Sequence, residues 1–175
     1  MPVTPFHLGP GIAVKAVLGR HVSLLIFAFS QVAMDLEPAA HMFRGDALLH
    51  GFAHTYVGAT LVAVLSVVIG RPLGQLVLER WPPDPASPFL TWLCDPPRIS
   101  WPAAIVGAGL GTYSHVVLDS VMHADMQPLF PFSETNGLLD AVSLGTLHLV
   151  CVAAGLLGGL ALRAAFLHRR RAPTG

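Results

Sequence analysis

Three ionisable side chains recur at every fourth position of an otherwise apolar stretch, SHVVLDSVMHAD. They are His115, Asp119 and His123. On an α-helix four residues rise about 6 Å, so this spacing stacks the three groups along one face. Imidazole nitrogens and carboxylate oxygens together suit zinc, or a pair of divalent ions, better than Ca²⁺ alone. The stretch therefore predicts a helix that presents metal ligands.

Two further pairs of ionisable side chains lie upstream. Asp35 and Glu37 stand in MDLEP, and His50 and His54, again four apart, open HGFAHTYVGA. Acids at the C-terminal end of a helix oppose its dipole, so Asp35 and Glu37 favour a partner cation. These two pairs are therefore candidates for the same metal site.

Each of these groups also has a structural interpretation. His50 and His54 fit a polar helix start. His115 and Asp119 fit a hydrogen-bonded pair that joins two helices, and Asp125 fits a solvated loop. What distinguishes the two interpretations is whether the separate stretches meet in the fold.

The composition indicates an integral membrane protein. Of the 175 residues, 53% are hydrophobic and only 11% are charged, and the mean hydropathy is +0.62. A soluble domain carries about a quarter charged residues, so this chain has too little polar surface to cover a soluble globule. The formal net charge is zero, which gives no basic patch for nucleic acid, and two cysteines do not make a disulfide framework.

Hydropathy predicts an all-α, polytopic bundle of about four transmembrane helices. Each apolar stretch approaches or exceeds the roughly 20 residues that cross a bilayer. The predicted spans are 11–34, 51–69, 101–122 and 138–162. The bundle forms one integral-membrane domain over 1–167, with a proline-rich cytoplasmic loop at 81–102 and a basic, disordered tail at 168–175.

The basic residues orient this arrangement. With four spans, every lysine and arginine except Arg44 falls on one side, and the positive-inside rule assigns that side and both termini to the cytoplasm. The candidate ligands of spans one, two and three then meet at one depth near the outer interface. Core packing alone would not require such a convergence.

Ionisable groups at membrane depth are costly and usually functional. A bound metal ion would offset the burial of several acids, and it lowers the pKa of a bound water to near neutrality, as hydrolysis requires. The sequence thus predicts a membrane-bound, metal-dependent hydrolase with a lipid-like substrate, such as an ester or a phosphodiester. We expect His54, His115 and Asp119 as the core ligands and Asp35 as a further one. Glu37 or His50 would serve as general base or as an additional ligand.

Three alternatives remain open at this stage. His54 and His115 could ligate a haem in an electron-transfer protein, although haem does not need the neighbouring acids. The same polar stripe could serve a small transporter or proton relay, with a homodimer supplying further helices. The site could also be degenerate and the protein structural.

Three motifs resemble the YdjM-like family of inner-membrane, metal-dependent hydrolases. In chain order they are MDLEP, HGFAHTYVGA and GTYSHVVLDSVMHADMQPLFP. The resemblance implies a divalent metal, zinc in particular, and a multi-pass inner-membrane location. By position it implies five metal or catalytic residues: His7, Asp35, His54, His115 and Asp119.

Two positions depart from that family's pattern. Glu37 replaces the second acid of its Asp-x-Asp motif, and Leu49 stands where the family has an upstream histidine, with His50 one place later.

The implied role of His7 also conflicts with four straight spans, which leave it in the cytoplasm. A re-entrant hairpin of 11–19 and 22–34, turning near Arg20, would return His7 to the other ligands.

Overall fold

A computed structural model describes residues 5–84, 87, 90 and 98–171 of the chain. The described residues form helices and connecting loops and no strand, so the predicted all-α class is confirmed. Within the described ranges, five helices make the bundle: α1 (Leu8–Leu18), α2 (Leu24–Arg44), α3 (Tyr56–Arg80), α4 (Trp101–Met122) and α5 (Leu144–Arg171).

The first predicted span is a helical hairpin rather than one straight helix. Gly19 ends α1 with a positive φ of 53°, a backbone conformation that favours glycine. The Ser23 hydroxyl then accepts a hydrogen bond from the Ile26 N–H and caps α2. Lys15 is buried, and its Nζ donates to the Val22 carbonyl across the turn at 2.7 Å. This hydrogen bond offsets part of the free-energy cost of burying the Lys15 ammonium group.

α1 and α5 run side by side in the same direction. A Cβ on Gly9 would collide with the Cys151 carbonyl, and a Cβ on Gly158 would lie 2.7 Å from the Ala13 Cα. These glycines let the two backbones approach closely. Gly159, the second glycine of the Gly155-x-x-x-Gly159 pattern, meets no described neighbour within 4 Å.

α4 is the central helix and packs against both α2 and α3. Two of its glycines face α2 and its N-terminal cap: a Cβ on Gly107 would lie 2.5 Å from the Ser23 carbonyl oxygen, and one on Gly111 would collide with the Ser30 hydroxyl. The helix begins and ends at the predicted residues. The close approach brings its last two turns against the second half of α2.

α3 begins later and ends later than the predicted span 51–69. Residues 52–54 form a 3-10 turn, and the Thr55 hydroxyl accepts from the Gly58 N–H to start the helix at Tyr56. A π-helical turn at Ser66–Gly70 carries the helix on to Arg80.

The loop between α4 and α5 folds back on the start of α3, where the Pro128 carbonyl accepts from the Tyr56 N–H at 2.9 Å. α5 consequently begins at Leu144 rather than at residue 138. It continues to Arg171, so residues 168–171 of the predicted tail are helical, and 172–175 lie outside the described residues. The proline-rich loop 81–102 is described only at 81–84, 87, 90 and 98–102, where the last two residues already belong to α4.

Two of the described helices are long and apolar enough to cross a membrane, Tyr56–Arg80 and Leu144–His168. α4, whose buried face carries polar side chains, does not meet that measure. Four spans are therefore not confirmed.

The two ends of the described chain also lie apart. Phe6 stacks on His148 near the start of α5, whereas α5 ends at the opposite end of the bundle. The four-span interpretation had placed both termini at one end. It differs from the structure because the α1–α2 hairpin adds a change of direction.

The close packing of α4 on α2 can be tested with two glycines. We expect Gly107→Ala to destabilise the protein by about 1–3 kcal/mol, because the new Cβ meets the Ser23 carbonyl. Gly109 meets nothing within 4 Å, so Gly109→Ala should be neutral or gain up to about 1 kcal/mol of helix propensity. Thermal unfolding in detergent measures both. Equal Tm shifts for the two variants would contradict this packing.

Candidate metal centre

The carboxylate of Asp119, near the end of α4, lies within a ring of imidazoles. Asp119 is 4% exposed, and its ion-pair partners among the described residues are all histidines. Four histidines from three segments, namely His7, His50 with His54, and His115, direct an Nε2 atom toward its oxygens. The Nε2–oxygen distances are 3.1 Å for His115, 3.6 Å for His54, 3.6 Å for His7 and 3.9 Å for His50.

Gln31 of α2 fixes the tautomer of His115. The Gln31 amide Nε2 donates to the Gly111 carbonyl at 3.0 Å, which orients its Oε1 toward His115. This oxygen lies 2.6 Å from the His115 Nδ1 and can only accept, so Nδ1 carries the proton. In the neutral ring, the Nε2 lone pair of His115 then faces Asp119.

Glu37 fixes His54 in the same way and also shapes the turn that holds it. One Glu37 oxygen lies 3.1 Å from the His54 Nδ1, and the carboxylate accepts from the backbone N–H groups of Gly51 and Ala53. His54 therefore also holds its proton on Nδ1 and its lone pair on Nε2. Glu37, which the sequence suggests as a general base or a further ligand, thus holds both the turn and the His54 ring.

Asp125 holds the His50 ring in the same way. Its Oδ1 lies 2.9 Å from the His50 Nδ1, and its Oδ2 accepts from the N–H groups of Leu49 and His50. Burial of the Asp125 carboxyl opposes ionisation, but these hydrogen bonds outweigh it and lower its pKa to about 2. Asp125 is thus an ionised anchor rather than the solvated loop residue that the sequence suggested.

Three buried nitrogens at this point have no hydrogen-bond partner within the described residues: the Nε2 atoms of His7, His54 and His115. Buried polar atoms nearly always have a hydrogen-bond partner, so three unpartnered nitrogens around one carboxylate need an explanation. Lone pairs that face a carboxylate oxygen repel it, whereas a divalent cation among them would satisfy every group. The donor set of imidazoles and carboxylates is one that zinc and other transition metals accept.

Asp35 adds a second acid to the centre. It lies one helical turn after Gln31 on α2, and its Oδ1 is 3.5 Å from the His115 Nε2. The structure therefore brings all five residues implied by the family resemblance to one place, together with His50. His7 reaches the site because the α1–α2 hairpin returns the start of the chain to the end of α4.

Other candidate residues lie around the centre rather than in it. His123 stacks on the His50 ring with centroids 4.3 Å apart. Gln31 was missed by the sequence analysis, although its position four residues before Asp35 on the same helix face could have suggested it. Of the remaining histidines, His148 stacks on Phe6 and His41 pairs with Asp46.

The geometry argues against a haem between His54 and His115. Their ring centroids are 5.3 Å apart and their planes are inclined by 59°. One oxygen of Asp119 lies within 3.6 Å of both Nε2 atoms. A porphyrin would have to replace this carboxylate.

A cavity of about 620 Å³ opens beside His50. It lies between the segment that precedes α3 and the loop that follows α4. Its walls mix apolar and polar side chains, and its lining includes Leu48, His50, Phe52, Asp125, Met126, Phe130, Glu134 and Leu139. Of the residues around Asp119, His50 is the one that lines this cavity.

No protein-family model, curated protein or solved structure matches the chain. The likeness to the YdjM-like family therefore rests on the three motifs.

The anchoring role of Glu37 predicts a loss of stability. Glu37→Ala removes the acceptor of two backbone N–H groups and of the His54 ring, and a buried donor left unpaired costs about 1–3 kcal/mol. We expect the Tm in detergent to fall by about 5 °C. The exposed Glu134 provides a matched control, since Glu134→Ala should change the free energy of unfolding by less than about 0.5 kcal/mol. A Glu37→Ala protein as stable as this control would contradict the assignment.

Proposed function

We propose that this protein is a membrane-bound, metal-dependent hydrolase. The observation that supports it is the set of three Nε2 atoms, of His7, His54 and His115, that have no hydrogen-bond partner around the Asp119 carboxylate. In two of these rings, His54 and His115, an acceptor holds the other nitrogen. Anchored imidazoles of this kind are typical of metal ligands, because the second hydrogen bond fixes the ring and increases the basicity of the ligating nitrogen. In a purely structural polar cluster, the buried polar groups would be expected to hydrogen-bond one another.

The residues divide into ligands and positioning groups. His7, His54, His115 and Asp119 would hold the metal, zinc being the first candidate, with Asp35 completing the set. When bound, the metal would supply a water of near-neutral pKa and would polarise the substrate. Gln31 and Glu37 hold His115 and His54 in place. His50, backed by Asp125, offers its Nε2 to a proton or to a metal ion.

The membrane orientation follows from charge. α3 and α5 are the apolar helices, and the site lies where both begin. Of the arginines in the described chain, Arg44 ends α2 on the site side. The others lie toward the opposite end, on the turn after α1, the second half of α3, the segment before α4 and the second half of α5, and include Arg20, Arg71, Arg80, Arg98 and Arg163. By the positive-inside rule that end is cytoplasmic, so the metal centre and the start of the chain face the outer side of a multi-pass inner-membrane protein.

The substrate class follows from this location and from the cavity beside His50. At headgroup depth, a cavity with walls such as Phe52, Met126 and Phe130 suits an amphiphile, with the scissile ester or phosphodiester near His50 and an apolar part against the wall.

Hydrolysis of chromogenic substrates tests the proposal. Detergent-purified protein loaded with zinc should hydrolyse a p-nitrophenyl acyl ester or bis-p-nitrophenyl phosphate, and a chelator should abolish turnover. His54→Ala and Asp119→Ala should each lower kcat/KM by about 10²-fold or more, because each removes a ligand.

His21, exposed on the turn after α1, serves as the matched control, and His21→Ala should retain full activity. Turnover that survives chelation, or equal activity in all three variants, would refute the hydrolase assignment.

The orientation is tested separately by cysteine labelling. In a chain with Cys94→Ser and Cys151→Ala, a membrane-impermeant maleimide applied to intact spheroplasts should label Glu134→Cys at the site end. It should label Glu79→Cys, near the end of α3, only after lysis. Both replacements remove one exposed acid, so they are matched in charge. The reverse pattern would place the site on the cytoplasmic face.

A further inference from the structure

The centre contains more donors than one ion can use. Four imidazole Nε2 atoms and two carboxylates, those of Asp119 and Asp35, lie around one point. A catalytic zinc takes three protein ligands and a water, and a structural zinc takes four. At least two buried donors would therefore remain unsatisfied with a single ion.

The donors separate into two groups that share one residue. His7, His115 and Asp119 have ligand atoms within 4.8 Å of one another, and so do His50, His54 and Asp119. The rings pair accordingly, with centroids 4.8 Å apart for His7 and His115 and 4.9 Å apart for His50 and His54.

The two oxygens of the Asp119 carboxylate also have different partners. Its Oδ1 is paired with His7, and its Oδ2 is paired with His50 and His54 and, at 3.1 Å, with His115. A carboxylate whose two oxygens serve two donor groups can bridge two cations.

We propose that the site holds two divalent ions that share the carboxylate of Asp119. One ion takes His7 and His115, with Asp35 as a further ligand. The other takes His50 and His54. This inference rests on the proposed hydrolase function and deepens it, since a pair of ions can hold both the attacking and the leaving oxygen of a phosphodiester.

The balance of charge supports a second ion. Asp35 and Asp119 contribute two negative charges at most, so two divalent ions leave the centre positive. The cavity beside His50 has no lysine or arginine in its described lining, while Asp125 and Glu134 are part of it. An anionic phosphodiester in this cavity would therefore need the ions as its counter-charge.

A third group of potential ligands, His50, His123 and Asp125, is explained without a metal. The His50 Nδ1 and the Asp125 Oδ1 are at hydrogen-bond distance, 2.9 Å, and the other Asp125 oxygen accepts two backbone N–H groups. A proton therefore already satisfies this pair. His123 should not be needed for binding either ion.

Metal stoichiometry tests the proposal. The full chain in detergent is equilibrated with Zn²⁺, freed of excess by gel filtration, and analysed for zinc per chain by inductively coupled plasma mass spectrometry. We expect two zinc ions per chain in the wild type and one in each of His7→Ala and His50→Ala. His21→Ala and His123→Ala should keep two.

One zinc per chain in the wild type would overturn the shared site and leave a single-metal hydrolase standing. No retained zinc would remove both this proposal and the proposed function. Two zinc ions in the wild type with two also in His7→Ala and His50→Ala would place the second ion elsewhere and overturn the proposal.

A measurement on the wild type alone avoids dependence on variants that fold poorly. Replacement of zinc by Mn²⁺ should give an exchange-coupled electron paramagnetic resonance spectrum, because two ions bridged by one carboxylate interact magnetically. His50→Ala should restore the six-line spectrum of an isolated ion. A six-line spectrum in the fully loaded wild type would contradict a shared carboxylate.

Discussion

The structure depends on one electrostatic constraint, a buried carboxylate surrounded by lone pairs. Asp119 is 4% exposed, and the ion-pair partners of its oxygens among the described residues are imidazoles, with no lysine or arginine. An ionised carboxylate in such a place is costly unless a cation accompanies it. Because acceptors hold the protons of His54 and His115 on the far side of each ring, these histidines cannot satisfy it without taking up a second proton. Neighbouring imidazolium rings about 5 Å apart would repel, which leaves metal binding as the better solution.

The residues that hold the histidines in place, Gln31, Glu37 and Asp125, come from different parts of the chain than the histidines themselves. The geometry of the site therefore depends on how several helices pack. Gln31 and Glu37 on α2 hold a histidine of α4 and one of the turn before α3. Asp125, after α4, holds His50, which precedes α3. Each of these three histidines is therefore positioned by a neighbour in space that is distant along the chain. The helices α2, α3 and α4 cannot shift against one another without disturbing a ligand.

The sequence predicted the part of this site that depends on local spacing. The four-residue spacing of His115 and Asp119 placed both on one face of a helix, and that helix has the predicted bounds. The anchors were harder to find, because Gln31 and Asp125 bind histidines 84 and 75 positions away along the chain. The path of the first helix was equally undetermined. Lys15 suggests an aqueous end to a span until its tertiary contact with the Val22 carbonyl is known.

The hairpin of α1 and α2 links this buried lysine to the metal centre. Close packing of α1 on α5, through Gly9 and Gly158, sets the depth at which the start of α1 lies. At that depth His7 lies beside Asp119, about two helical turns along α1 from Lys15. A straight first span would have left the donor group of His115 with a single histidine. The same hairpin therefore buries Lys15 against the Val22 carbonyl and brings His7 to Asp119.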